Sequence, residues 1–176
     1  MNSIVYRLSL AVALSVFMFS CINEKDDEYA DISPGDVIPD FEVMMNDGTV
    51  VTDDLLKSGP SCIVFFHTSC PDCRSVLPFI QRLYDEFGPE GVRFAIISRD
   101  ETEDTIGPFW EENGFTMPYS AQSDRTVYEL FAKTRVPRVY ISDVRGVVKA
   151  VFTDNPTPGY DDLVSVLNSI CGIGME

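Results

Sequence analysis

Cys70 and Cys73 are the residues of this chain whose types and spacing best suit chemistry. They stand three apart in Cys70-Pro71-Asp72-Cys73, between two apolar segments of different period. Before them Ser61–Phe66 (SCIVFF) is a continuous apolar run, which reads as a strand buried on both faces. After them Val76, Ile80, Leu83 and Phe87 recur at helical spacing, with Leu77 and Tyr84 beside them, up to Gly88-Pro89. A cysteine at the first turn of a helix meets unpaired N–H groups and the positive end of the dipole, both of which stabilise a thiolate. Pro71 suits the first helical position, where its missing N–H costs nothing. Asp72 suits the first turn electrostatically, but its carboxylate opposes thiolate formation and so favours a more reducing couple. The expected chemistry is thiol–disulfide exchange: Cys70, the more exposed, attacks, and Cys73 resolves the mixed disulfide.

Two other readings compete for the same pair. Zinc would take two further ligands, but the chain holds one histidine, His67, and no second cysteine pair, so no metal and no cofactor is expected. An inert structural bridge is the other, and an exposed strand-to-helix junction is a poor place for one.

The elements that must position the pair follow from the pattern on either side. Phe41 and Val43, then Asp47-Gly48, then Thr49-Val50-Val51 read as a hairpin about a tight turn. Residues 92–97 form a second core strand. Gly107-Pro108 interrupts the next stretch, leaving a short helix over 109–113, and 126–133 reads as another helix. Residues 138–141 are a strand, Asp143 to Gly146 a turn, and 147–152 its antiparallel return. From Asp161, Leu163, Val166, Leu167 and Ile170 line one face of a closing helix stopped at Gly172. This order predicts an α/β sandwich with an N-terminal β-hairpin.

The ends and the composition bound where such a domain works. Leu8 to Phe19 is an apolar run of about a dozen residues behind Arg7, the length of a signal-peptide core and short of the roughly 20 that span a membrane. It ends in Phe19-Ser20-Cys21, which resembles the bacterial lipobox; in that resemblance Cys21 becomes the lipidated first residue of the mature chain. Glu24 to Glu28 is a charged, solvated tether. The expected organisation is therefore a signal peptide at 1–20, a lipidated cysteine and tether at 21–35, and one domain at 36–176. A net charge of −15 argues against nucleic acid, which needs basic patches to meet phosphates. Cysteines in an exported chain meet an oxidising compartment, which suits a redox pair.

The run Ile63 to Arg74, with Pro78 five residues after Cys73, resembles the thioredoxin superfamily, and within it the TlpA/ResA-like branch. Pro34-Gly35 through Pro39-Asp40-Phe41, the Asp47-Gly48 turn, Val136-Pro137 before a strand, and Asp143-x-x-Gly146 extend the resemblance over nearly all of residues 35–172. It implies a thioredoxin-like α/β/α sandwich with a central mixed sheet. It also implies a cis Pro137 facing the cysteines and a Val136 backbone that pairs with an extended substrate. The implied partners are exported proteins carrying disulfides, an electron donor of the membrane or periplasm, and the membrane itself through the lipid. The implied location is the bacterial cell envelope, facing the periplasm or the cell surface.

Departures from the family pattern are specific. Ser69 stands where an aromatic usually precedes the first cysteine. Val64 replaces the buried Asp of thioredoxins, and Val76 the Glu of the ResA-like branch. Asp72, solvent or His67 is left to take the proton of Cys73. Cys62 and Cys171 are expected at the sheet edge opposite the active site, where a second disulfide is one option. Alternative functions are a peroxiredoxin-like peroxidase and a thioredoxin-like binding or metallochaperone module. If the lipobox reading holds, mass spectrometry of the mature amino terminus finds an acylated Cys21, and Cys21→Ala releases the protein from membranes. An unmodified Cys21, or cleavage elsewhere, refutes it.

Overall fold

The computed structural model describes residues 31–172. The expected signal peptide, Cys21 and the acidic run after it lie outside these residues. Eleven elements follow in order: β1 (Glu42–Met44), β2 (Val50–Thr52), α1 (Asp53–Leu56), β3 (Ser61–Phe66), α2 (Pro71–Phe87), β4 (Arg93–Ser98), α3 (Glu103–Asn113), α4 (Thr126–Glu129), β5 (Arg138–Ser142), β6 (Val148–Phe152) and α5 (Tyr160–Cys171).

The expected hairpin forms. Val43 opposes Val51 across an antiparallel pair that makes its own two-stranded sheet. Gly48 takes φ +85°, which a side chain would strain, and the Asp47 carboxylate accepts the Thr49 N–H at 2.9 Å. Thr52 then caps α1 by accepting the Leu55 N–H.

The central sheet runs β4-β3-β5-β6. It is mixed: β3 pairs parallel with β4 and antiparallel with β5, and β5 pairs antiparallel with β6. Every residue of β3 and of β5 is buried, as a strand covered on both faces requires. Ser61 and Ser142 are partners in this register, and their buried hydroxyls satisfy each other at 2.6 Å.

Consecutive residues of a strand point to opposite faces, so Phe65 and Phe66 open two aromatic clusters. Phe65 meets Tyr128, Phe131 and Tyr140. Phe66 meets Trp110 of α3, which in turn meets Phe115 and Tyr119. The helix α2 buries Cys73, Val76, Leu77, Ile80, Leu83 and Phe87, and α5 buries Leu163 and Leu167. The result is the thioredoxin-like α/β sandwich.

Two helices differ from their sequence reading. The helix α3 runs unbroken through Gly107-Pro108. Pro108 is its sixth residue, so it forfeits one intrahelical hydrogen bond, and burial of Ile106 and Trp110 on either side offsets that loss. By contrast α4 stops at Glu129, four residues before the expected end. Phe131 and Ala132 are still buried, but they are reached by a turn rather than a helix. Residues 31–35 lie against the domain: Asp31 pairs with Arg138 at 2.6 Å, the Ile32 N–H donates to the Phe131 carbonyl, and the Gly35 N–H to that of Val148.

Phe65 is fully enclosed where three aromatic partners meet. Phe65→Ala is expected to cost about 3–5 kcal/mol, as other buried aromatic deletions do. Urea unfolding of the described domain would show a lower midpoint at unchanged slope. A change within about 0.5 kcal/mol, typical of surface sites, would contradict the packing.

Candidate active site

Strand β3 delivers the site and helix α2 terminates it. Leaving β3, residues 67–70 turn so that Cys70 becomes the N-cap of α2, in extended conformation, with Pro71 at the first helical position as the sequence predicts. The Cys70 carbonyl accepts the Arg74 N–H at 3.1 Å and its N–H donates to the His67 carbonyl at 3.0 Å. Its thiol is half-buried and donates to the Val136 carbonyl at 3.3 Å. The Val136–Pro137 bond is cis, and it follows the carbonyl that meets Cys70. That loop is pinned by the Tyr128 hydroxyl, which donates to the Arg135 carbonyl at 2.6 Å. Arg138, next after Pro137, donates to the Thr134 carbonyl at 3.0 Å.

Cys73 lies one helical turn inward and is 0% exposed. Burial pushes its thiol well above the usual range; the His67 backbone N–H opposes this, the neighbouring Cys70 adds to it, and Arg99 opposes it. The two cysteines therefore divide into an accessible thiol at the helix start and an enclosed one behind it. Both are free thiols here, as are Cys62 and Cys171. Cys62 is fully enclosed in β3, where burial pushes its thiol up to about 12.

Around the pair the polar groups are dense. Asp72 is exposed on the first turn of α2. The His67 ring lies between two carboxylates, with Nε2 3.4 Å from Asp100 and Nδ1 3.5 Å from Glu101. Nδ1 also meets the Ser69 hydroxyl at 2.9 Å. Glu101 is buried and accepts both the N–H of Thr68 at 2.6 Å and its hydroxyl at 2.5 Å. Arg74 closes the turn from the helix side: its Nε donates to the Thr68 carbonyl at 2.6 Å.

Glu101 is the residue that sequence reasoning missed. The signal lies in the topology. Parallel pairing of β3 with β4 sets Phe66 opposite Ser98, so the residues leaving the two strands, 67–69 and 99–101, emerge side by side. That is the carboxyl edge where open α/β sheets place their ligands. A cavity of about 530 Å³ lies elsewhere, lined by residues of the hairpin, α1 and the end of α2 with Arg93 and Phe94, and it includes neither cysteine. No cluster of His, Cys, Asp and Glu suited to a metal ion occurs among the described residues.

The AhpC/TSA family model matches residues 34–151. The thiol-disulfide oxidoreductase ResA of Oceanobacillus iheyensis is 25% identical over 169 residues, covering 90% of this chain and 88% of that protein. ResA of Bacillus subtilis is 24% identical over 126 residues, covering 72% and 70%. Among solved structures, the thioredoxin domain of a thiol-disulfide oxidoreductase from Bacteroides vulgatus superposes with a TM-score of 0.68. It is 21% identical and covers 80% of this chain and 99% of that one. A thiol:disulfide interchange protein from Chlorobium tepidum gives 0.68 at 22% identity, covering 81% and 100%. These two likenesses establish the fold.

The division between the thiols has a direct readout. In the reduced protein at neutral pH, iodoacetamide is expected to modify Cys70 while Cys73 and Cys62 stay unlabelled, as mapped by peptide mass. Burial disfavours the thiolate of the enclosed pair, so their labelling should rise only at pH well above the free thiol value of roughly 8.5. Equal labelling of Cys70 and Cys73 at neutral pH would overturn the assignment.

Proposed function

We propose that this chain, which belongs to the AhpC/TSA family and is a TlpA/ResA-like thiol-disulfide oxidoreductase of the thioredoxin superfamily, reduces or exchanges disulfides in exported proteins through Cys70 and Cys73. One observation carries the reading: an accessible thiol at a helix start, held against the Val136 carbonyl, with its partner enclosed one turn behind.

The exchange proceeds in two substitutions at sulfur. The Cys70 thiolate attacks a substrate disulfide, forming a mixed disulfide and releasing one substrate sulfur as thiolate. Cys73 then gives up its proton and attacks Cys70. The Cys70–Cys73 bond forms, the bond to substrate breaks, and the electron pair leaves on the second substrate sulfur. Substrate gains two electrons and two protons, and the pair awaits a dithiol donor. An extended substrate would lie along Val136, whose backbone is presented beside Cys70 by the loop ending in Pro137. The charge on the Cys70 thiolate is met by the free N–H groups and dipole of α2.

The place of action in this reading is the cell envelope, with the domain held to a membrane through a lipidated Cys21. No helix among the described residues is long and apolar enough to cross a membrane. A peroxidase using the same fold would need a hydroxyl aimed at the attacking sulfur. The nearest threonine, Thr68, instead commits its hydroxyl to Glu101.

The test is covalent trapping in the native envelope. Cys73→Ser should accumulate mixed disulfides with partner proteins, because an attacker without its resolver stalls at the intermediate, while Cys70→Ser should accumulate none. The purified dithiol should reduce insulin and turn over peroxide far more slowly. Absence of trapped partners together with peroxide turnover faster than insulin reduction would replace this reading with the peroxidase.

A further inference from the structure

The carbonyl that meets the Cys70 thiol belongs to the loop of residues 133–138, which leads into β5. Val136 accepts the thiol at 3.3 Å, and the Arg135 carbonyl beside it accepts the Tyr128 hydroxyl at 2.6 Å. Arg135 takes φ +72°, a left-handed conformation that a side chain disfavours and that persists where the surroundings impose it. The ends of the loop show one source of that constraint. The Asp31 carboxylate accepts the Lys133 N–H at 3.0 Å on one oxygen and the Arg138 guanidinium at 2.6 Å on the other. One side chain thus staples the first residue of the loop to the last. Arg138 also turns inward, donating to the Thr134 carbonyl at 3.0 Å. It is 7% exposed, and its Nε has no hydrogen-bond partner among the described residues, so the Asp31 carboxylate pairs with a largely desolvated charge. The strap that carries Asp31 is seated as well. The Ile32 N–H donates to the Phe131 carbonyl at 2.9 Å, and the Gly35 N–H to that of Val148 at 2.9 Å.

We propose that Asp31 is a positioning residue for exchange with peptide disulfides: it closes the ends of the 133–138 loop so that the Val136 backbone stays beside the Cys70 sulfur. This rests on the reading of Cys70 as attacker and of the Val136 backbone as the rail for an extended substrate. Asp31 belongs to the stretch expected to be tether, and that stretch ends on the loop beside Cys70. The electron balance of the exchange is unaltered, since the Cys70–Cys73 bond forms as a substrate disulfide takes up two electrons and two protons. What the staple governs is the pose in which the substrate backbone meets the attacking sulfur. Removing the carboxylate leaves a buried guanidinium without its counter-ion and releases the start of the loop, so the Val136 backbone shifts from Cys70. A small misplacement of this kind costs rate only where the substrate uses the displaced groups. A small aromatic disulfide has no backbone to pair with Val136 and needs only an accessible Cys70. The staple should therefore separate two classes of disulfide, which a role confined to stability would not do.

The full chain, reduced beforehand, is mixed in single turnover with insulin or with an aromatic disulfide that releases coloured nitrothiobenzoate. Oxidation by insulin is read by mass as the loss of alkylatable Cys70, and the aromatic disulfide by absorbance. In Asp31→Ala the rate with insulin should fall about tenfold, the scale of one hydrogen bond to a charged group, while the rate with the aromatic disulfide changes less than about twofold. Asp31→Asn keeps the shape and one acceptor oxygen, so its insulin rate should fall by less, in the same direction. Thermal melting checks that each variant is folded at the assay temperature, and Asp31→Asn carries the test where Asp31→Ala is not. Unchanged insulin rates in every folded variant, or equal losses with both disulfides, would overturn the proposal. A wild-type protein that reacts with the aromatic disulfide but not with insulin would instead overturn the exchange reading on which it stands.

Discussion

The enclosed sulfur of Cys73 sets the terms for the site. In the proposed exchange it is shielded so that only Cys70 meets substrate, yet burial works against the charge it would carry while resolving. At Cys73 the His67 backbone N–H and the Arg99 charge both oppose the effect of burial. On the other side of the pair, α2 starts at Cys70 itself, which is its N-cap. The helix start and the turn before it share residues 67–70, which join β3 to α2.

These residues are held from three directions. From below, Phe65 and Phe66 anchor the last turn of β3 in aromatic clusters on opposite faces of the sheet. From the helix, Arg74 reaches back one turn to the Thr68 carbonyl while its guanidinium lies over Phe109. From the neighbouring strand, Glu101 takes the remaining donors of Thr68. On the far side of the pair, Tyr128 belongs to the Phe65 cluster and its hydroxyl holds the Arg135 carbonyl, so the same aromatic core that seats β3 also seats the Val136 loop. The core cluster and the loop beside Cys70 thus share Tyr128, so a loss in the first would be felt in the second.

Much of this was legible in the residue pattern because it follows from local rules. SCIVFF suits an enclosed strand, Cys70-Pro71 could open a helix without losing a hydrogen bond, and Asp47-Gly48 could turn a hairpin. The errors fell where tertiary packing overrides those rules. Pro108 does not stop α3, because Ile106 and Trp110 are buried on either side of it. The apolar spacing of 126–133 promised a longer helix, but Phe131 and Ala132 reach the core from a turn. In the first case burial outweighed a breaker, and in the second burial was met without a helix.

The absent carboxylates show a different limit of sequence reading. Val64 and Val76 occupy the two positions where the resembled families keep an acid near the resolving thiol, and from the chain alone this looks like a polar group lost. In three dimensions the exit of β4 lies beside the exit of β3, because the two strands are parallel and in register. A carboxylate can therefore reach the turn before Cys70 from residue 101, thirty-one positions after that cysteine. Its location is fixed by the strand pairing, not by the motif. This acid accepts the Thr68 N–H and hydroxyl, one on each carboxylate oxygen. The valines leave the underside of the pair apolar, both of them buried in the core. Among the described residues, the Cys70 thiol instead finds its polar partner in the Val136 carbonyl of the loop before β5.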